Sequence, residues 1–521
     1  MLPVPWRSKG LGAVCAPHNF VWVAGIVCSG YRFVPVGEKD TGTRGAKNGR
    51  EKSFHHSLTL LSHTRSSLSC YIGVCTENSH CGGRNVRPRA CVVIGLAMLA
   101  LAGIPALAQD QTIPGQGNAN AAALSRRSPM VQSAMQFLVS QAETIQDQTL
   151  RKETLDVVTN AGMCLQHRVG LTDAKKNALV QQMIALGLAD KKDDATFPGG
   201  LKAGIFPPVI DEDSPCPKQP QPYAAAPGSS FGGHHSYPGG LAVHVSNNES
   251  ADVRLANEYR QVYGRTGANQ LPVIDRDWLK QATNTADSAI FIDQDIIVAA
   301  PLWHDWAKTL VFQWNADGSE FRELNFGGNG ATDASGAAGD SKTGAHHIIG
   351  VAESMKRGLS PAFVITQASA HSAPTNGNEY KVVNWLRAAA LMAQIDPVAK
   401  GYLYIDKSGR LRLPPVRKLG GVDLTAASPS QTNLLVEYTL HGLSDADFTY
   451  SIPAVTSVQV VLQTLAGQFG YDFRKTSEYN NRYRNPVLSF MTAERLLILY
   501  SERGPDGVSK ELKKLRNAGI I

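Results

Sequence analysis

The sequence predicts an all-α fold, on three observations. Apolar residues recur at helical spacing through most of residues 128–395. There is no alternation of strands and helices of the β-α-β kind. Ser128-Pro129 and Ser360-Pro361 each have the form of a helix N-cap followed by proline at the first helical position.

Taken in order, residues 109–127 read as a polar tether rich in Gly, Ala and Asn. Residues 128–195 read as a small helical region of three helices. Met135, Leu138 and Ala142, then Leu179, Met183 and Leu186, fall on single helix faces there. Residues 195–230 are rich in Pro, Gly and Ala and read as a crossing loop. A core over 231–400 follows, with helices expected at 240–263, 294–313, 345–357, 361–371 and 379–395.

Between Phe326 and Gly344 the chain is too glycine-rich for regular structure, and it lacks the Gly-Lys-Ser/Thr of a nucleotide P-loop. It reads as a solvated connector or a mobile loop near a site mouth. After residue 400, Tyr402–Ile405 and Arg410–Leu413 flank Asp-Lys-Ser-Gly as a hairpin. Helices are expected near 453–468, 491–503 and 507–516. Residues 401–521 thus form a mixed covering subdomain with no visible chemistry.

The first 108 residues read as a leader. Arg84-Asn-Val-Arg87-Pro-Arg89 precedes an apolar run from Ala90 to Ile104, ending in Pro105-Ala-Leu-Ala108. This is the pattern of a signal peptide over about 84–108, cleaved after Ala108. The run is short for a membrane anchor and is broken by Gly103 and Pro105. The residues ahead of it fit an over-long reading frame; a genuine extension, or a cytosolic chain with an internal apolar helix, are the alternatives.

Of the 51 Lys+Arg and 44 Asp+Glu, 12 and 4 lie in residues 1–109, which leaves 39 and 40 beyond. The formal net charge of +7 therefore belongs to the leader, and the rest carries no basic signal for nucleic acid. Expected location is periplasmic or secreted, with no membrane contact beyond export. Cys164 and Cys216 remain after cleavage, as one disulfide or as two buried thiols.

The chemistry concentrates in the histidines. His234-His235-Ser-Tyr-Pro-Gly-Gly-Leu-Ala-Val-His244 makes a tight turn into a helix carrying His244. His304-Asp305 follows in an apolar run, with Lys308 one turn on. His346-His347, His371 and Asp396 come later. Imidazole with carboxylate suits Zn, Mn, Fe, Ni or Co better than Ca. His441 stands apart and reads as a surface histidine.

The order His244, His304-Asp305, Asp396 resembles the H…HD…D signature of the HD superfamily of metal-dependent phosphohydrolases, over about residues 231–400. His304-Asp-Trp-Ala-Lys308 is similar to the family's HDxxK, and His346-His-Ile-Ile-Gly350 to its HxxxG. The resemblance implies an HD-type helical core. It also implies His244, His304, Asp305 and Asp396 as ligands of one ion.

In two-ion members, His346 and His371 would add a second site, with His347 the alternative to His346. Asp305 would bridge the ions and Lys308 would help hold phosphate. Two departures stand out. His304 lies 60 residues after His244, a long gap, with 264–293 resembling an insertion. Trp303 and Trp306 flank the pair, where they would narrow or dry the pocket.

The expected function is hydrolysis of a phosphate mono- or diester, with nucleotides as the substrate class by resemblance only, through a metal-activated water. The resemblance implies two divalent ions, drawn from Mn, Fe, Ni, Co, Zn or Mg. A di-iron oxygenase and a non-catalytic metal-binding module are the competing readings.

Overall fold

The computed structural model describes residues 113–273, 290–330, 339–374, 378–414 and 436–521. The leader and its cleavage point, most of the 264–293 stretch and the middle of the glycine-rich segment lie outside the described residues. The described chain is built mainly of helices, with three two-residue strand pairs.

The helices of seven residues or more are α1 Asn118–Arg127, α2 Pro129–Ala142, α3 Gln148–Thr159, α4 Asp173–Ala185, α5 Gly240–Gly264, α6 Gln294–His304 and α7 Ala345–Lys356. Then come α8 Pro361–Ala368, α9 Glu379–Ala393, α10 Val436–Ser444, α11 Phe448–Ala466, α12 Asn485–Met491 and α13 Ala493–Asn517.

Several helices start at side-chain caps that satisfy otherwise orphaned backbone N–H groups. Ser128 Oγ accepts from Val131 N at 3.3 Å, Asp147 Oδ1 from Leu150 N at 2.9 Å, and Ser360 Oγ from Phe363 N at 3.3 Å. Both expected Ser-Pro caps form.

Several stretches differ from expectation. The expected tether contains α1, because Ala121 and Ala122 pack on Trp314 and Ala225 and the alanines favour helix. Helix α6 ends at His304, whereas a helix through 313 was expected. Trp306 N bonds back to Trp303 O and Lys308 N to Asp305 O, a tight turn before a last helical stretch, Lys308–Val311. In the glycine-rich segment, Asn325–Phe326 pairs with Thr343–Gly344, and Asn329–Gly330 with Gly339–Asp340. The two expected terminal helices do form: the run α13 is two helices that meet at a non-helical kink at Gly504, where φ is +63° and ψ −165°. Helices α10 and α12 were not anticipated.

One apolar core joins residues of α2 to α9, including Leu138, Val157, Leu241, Val298, Ile349 and Leu386. A second gathers α11 to α13 around Val458, Leu462, Tyr483, Leu496 and Leu512, together with Tyr237 from the turn before α5. Trp303 and Trp306 are fully buried. Their indole N–H groups donate to Thr154 Oγ1 and Gln219 Oε1, both at 3.0 Å. They build the core and line no part of the cavity described below.

Cys164 and Cys216 are disulfide-bonded, with Cα atoms 5.1 Å apart. No described helix is long and apolar enough to cross a membrane.

A buried ionic knot ties α7 to α3. Glu353 accepts from His167 Nδ1 at 2.6 Å and from Arg357 Nε at 2.7 Å. Burial alone would raise its carboxyl. The His167 hydrogen bond and the two nearby bases outweigh that and pull it from 4.5 down to about 2. Its stabilisation is therefore complete above the unfolded value of 4.5 and is lost as pH falls through about 2.

Replacing Glu353→Gln leaves Arg357 short of a buried partner and should cost about 3 kcal/mol at neutral pH. In urea unfolding, the gap between wild type and variant should close on acidification. A gap independent of pH would contradict the assignment.

Candidate metal centre

Five segments bring the chemistry together. His244 stands on the second turn of α5, which the Pro238-Gly239-Gly240 turn aims inward; Gly239 has φ +87°. A Cβ on Gly240 would fall 1.8 Å from the His235 carbonyl oxygen, so only glycine fits there. His304 closes α6, and Asp305 follows as its C-cap with φ −105° and ψ −1°. His346 opens α7, and His371 lies just beyond α8. Asp445 begins the short 3-10 turn Asp445–Asp447 after α10.

Asp305 is at the centre. Its Oδ2 lies 3.1 Å from His244 Nε2 and 3.3 Å from His304 Nε2; its Oδ1 lies 3.1 Å from His346 Nε2. Asp445 Oδ1 faces the same two nitrogens as Oδ2, at 3.1 Å from His244 and 3.4 Å from His304. His371 groups with Asp305 and His346 on the other side, at the cavity mouth.

Three of the histidines are held from behind through Nδ1, and His244 Nδ1 has a carboxylate beside it. His304 Nδ1 donates to Pro301 O at 2.8 Å, and His346 Nδ1 to Glu323 Oε1 at 2.5 Å. His371 Nδ1 is 2.7 Å from Thr343 Oγ1. His244 Nδ1 is 2.9 Å from Asp447 Oδ1, close but off the ideal hydrogen-bond direction. Anchoring Nδ1 leaves Nε2 for the interior, the arrangement by which outer partners orient metal-bound imidazoles.

His304 Nε2, Asp305 Oδ1 and His346 Nε2 are buried and make no hydrogen bond among the described residues. Buried polar atoms are normally satisfied, so convergent orphans of this chemistry fit a cation. These buried His and Asp groups could hold a metal ion.

The electrostatics agree. Burial would push the Asp305 carboxyl up, but His304, Lys308 and His244 outweigh it and hold it well below the usual range. Burial would lower His304, yet Asp305 and Asp445 raise it to about 9. An ion entering here displaces protons from imidazole. The Lys308 ammonium, nearly buried, donates to the Asp305 carboxylate and to the Gly228 carbonyl.

Five of the six expected ligands converge; Asp396 does not. It is exposed, and its Oδ1 accepts from Val398 N at 2.8 Å and Ala399 N at 3.1 Å. An Asp-Pro pair after a helix favours such a turn, and Asp445 occupies the position expected of Asp396. His347 packs instead of facing the cluster: it stacks on His371 at 4.1 Å and meets the Trp385 ring edge-on at 4.8 Å. His441 is fully buried rather than on the surface, 5.0 Å from the His304 ring and 3.6 Å from Asp252 Oδ2.

Sequence reasoning missed Asp445, Asp447 and Glu323. The only signal was the paired carboxylates of Asp445-Ala-Asp447 at the end of an apolar helix.

The cluster opens into a cavity of about 750 Å³. Its walls include His234, Phe448, Lys342, Lys381 and Trp385, with Lys308 also facing it. The His234 ring lies 4.6 Å from that of His244 and 6.3 Å from that of Phe448. Comparison with family models, curated proteins and solved structures returns no match.

Proposed function

We propose that this chain is an exported, metal-dependent phosphohydrolase of the HD type, acting on a phosphate mono- or diester. The observation that carries the reading is Asp305. Its Oδ2 faces the Nε2 atoms of His244 and His304 and its Oδ1 faces that of His346, with His304 and His346 anchored from behind through Nδ1.

This supports two ions. His244, His304, Asp305 and Asp445 would hold one; Asp305, His346 and His371 would hold the other, nearer the cavity mouth. Bound there, divalent ions supply an activated water and positive charge for the phosphoryl oxygens.

The chain's own residues do the rest. Lys308 keeps Asp305 ionised and oriented while adding positive charge to the cavity floor. Glu323 fixes the His346 tautomer. Lys381 adds positive charge to the cavity wall, whereas Lys342 there is paired with Asp190 and Asp193. The Cys164–Cys216 disulfide fits an oxidising compartment, in keeping with export.

Elemental analysis together with a panel of aryl phosphates, phosphodiesters and nucleotides tests the reading in the presence of Mn, Co, Ni or Mg. His371→Ala should reduce the bound ions from two to one and slow hydrolysis by about 100-fold. Unchanged metal content in that variant would remove His371 from the site. Two irons and no phosphatase activity would instead favour oxygen chemistry.

A further inference from the structure

We propose that His235 is a positioning residue for the metal centre, clamping Asp447 behind His244 and so setting the affinity of that side of the site for its ion. The inference rests on the metal-site reading above.

His235 groups with His234 and His244 as a candidate ligand, but its contacts give it a different role. It is buried, and both ring nitrogens are engaged. Nε2 lies 3.0 Å from Asp447 Oδ2; Nδ1 lies 3.1 Å from the Tyr237 hydroxyl and 3.5 Å from Glu494 Oε1. A carboxylate only accepts, so His235 Nε2–H is the donor to Asp447. The other Asp447 oxygen is the one beside His244 Nδ1. Asp447 is thus gripped between two imidazoles, one of them a ligand.

The clamp is built from remote parts of the chain. His235 has φ +47°, a left-handed conformation uncommon outside glycine. It is held there on both sides: its N–H donates to Ser451 Oγ of α11 at 3.1 Å, and its carbonyl accepts from Gly228 N at 2.9 Å. Ser451 Oγ donates in turn to Glu494 Oε1 of α13 at 2.5 Å. The helices after residue 447 therefore reach the centre through Glu494, Ser451, His235 and Asp447. Asp447 and the ligand Asp445 share one 3-10 turn, so the grip on Asp447 also fixes the approach of Asp445. Without His235 the partly exposed Asp447 side chain is free to turn outward, and His244 loses its outer partner.

Titrating Mn²⁺ into metal-free protein, with ions counted by elemental analysis, tests this. His235→Phe should weaken one of two ions about 10- to 100-fold and leave the other unchanged. His235→Gln, which keeps a donor, should restore most of the loss. Asp447→Asn, which keeps the size and an acceptor oxygen, should reproduce the one-ion defect if the Phe variant fails to fold.

Equal weakening of both ions, or unchanged affinities with a lower melting temperature of the metal-free protein, would assign His235 a structural role only and overturn the proposal. A wild type that binds no ion overturns the metal reading as well. A wild type that binds two ions without hydrolysing phosphoesters overturns the proposed function alone.

Discussion

Asp305→Asn should abolish the activity and strip both ions while leaving the helical fold in place. The variant keeps the side-chain volume and an oxygen for the Lys308 ammonium to meet, so the buried base is not stranded. It removes the one negative charge that both halves of the site share: Oδ2 toward His244 and His304, Oδ1 toward His346. A neutral amide is a poor bridge between two cations, and the imidazoles alone do not offset their mutual repulsion. A fall in kcat/KM of about three decades is expected, which corresponds to about 4 kcal/mol of transition-state stabilisation. Circular dichroism should be unchanged. Loss of activity with both ions retained would place the role of Asp305 in substrate contact rather than metal bridging.

The second large effect separates two aspartates. Asp445→Ala should cost about 100-fold or more in metal affinity on the His244 side, and activity with it, whereas Asp396→Ala should leave both intact. Asp445 Oδ1 lies within 3.4 Å of two inward-facing imidazole nitrogens. Asp396 only caps an exposed turn. Metal titration of the two variants side by side decides the matter. A defect in Asp396→Ala equal to that in Asp445→Ala would contradict the geometry described here.

That contrast shows where sequence reading succeeds and where it stops. His304-Asp305 was legible because two strong ligands abut in an apolar run, whereas His346 and His371 were expected only through the resemblance to two-ion HD members, His346 by its HxxxG-like run. The helices α5, α7, α8 and α9 were legible because burial of one face imposes spacing on the residues themselves.

Asp445 carried no such mark. Its place depends on α10 packing beside α5 and α6, and long-range packing leaves no local pattern. Asp396 was expected because it resembles the last aspartate of the H…HD…D signature, near the end of a helix, but its proline neighbour directs it into a turn. The end of α6 at His304 was hidden too, because residues 305–313 stay apolar while the backbone tightens to re-aim Asp305. The Nδ1 anchors, among them Pro301 O, Glu323 and Asp447, are ordinary residues until the fold brings them behind an imidazole.

In the proposed two-ion site, the two carboxylate oxygens of Asp305 would each serve a separate ion. Elemental analysis of purified wild-type protein after saturation with Mn²⁺ and removal of excess tests it most directly. Two ions per chain are expected in the wild type, one in His371→Ala and none in Asp305→Asn. A wild type holding no ion, or an Asp305→Asn variant holding two, would contradict it.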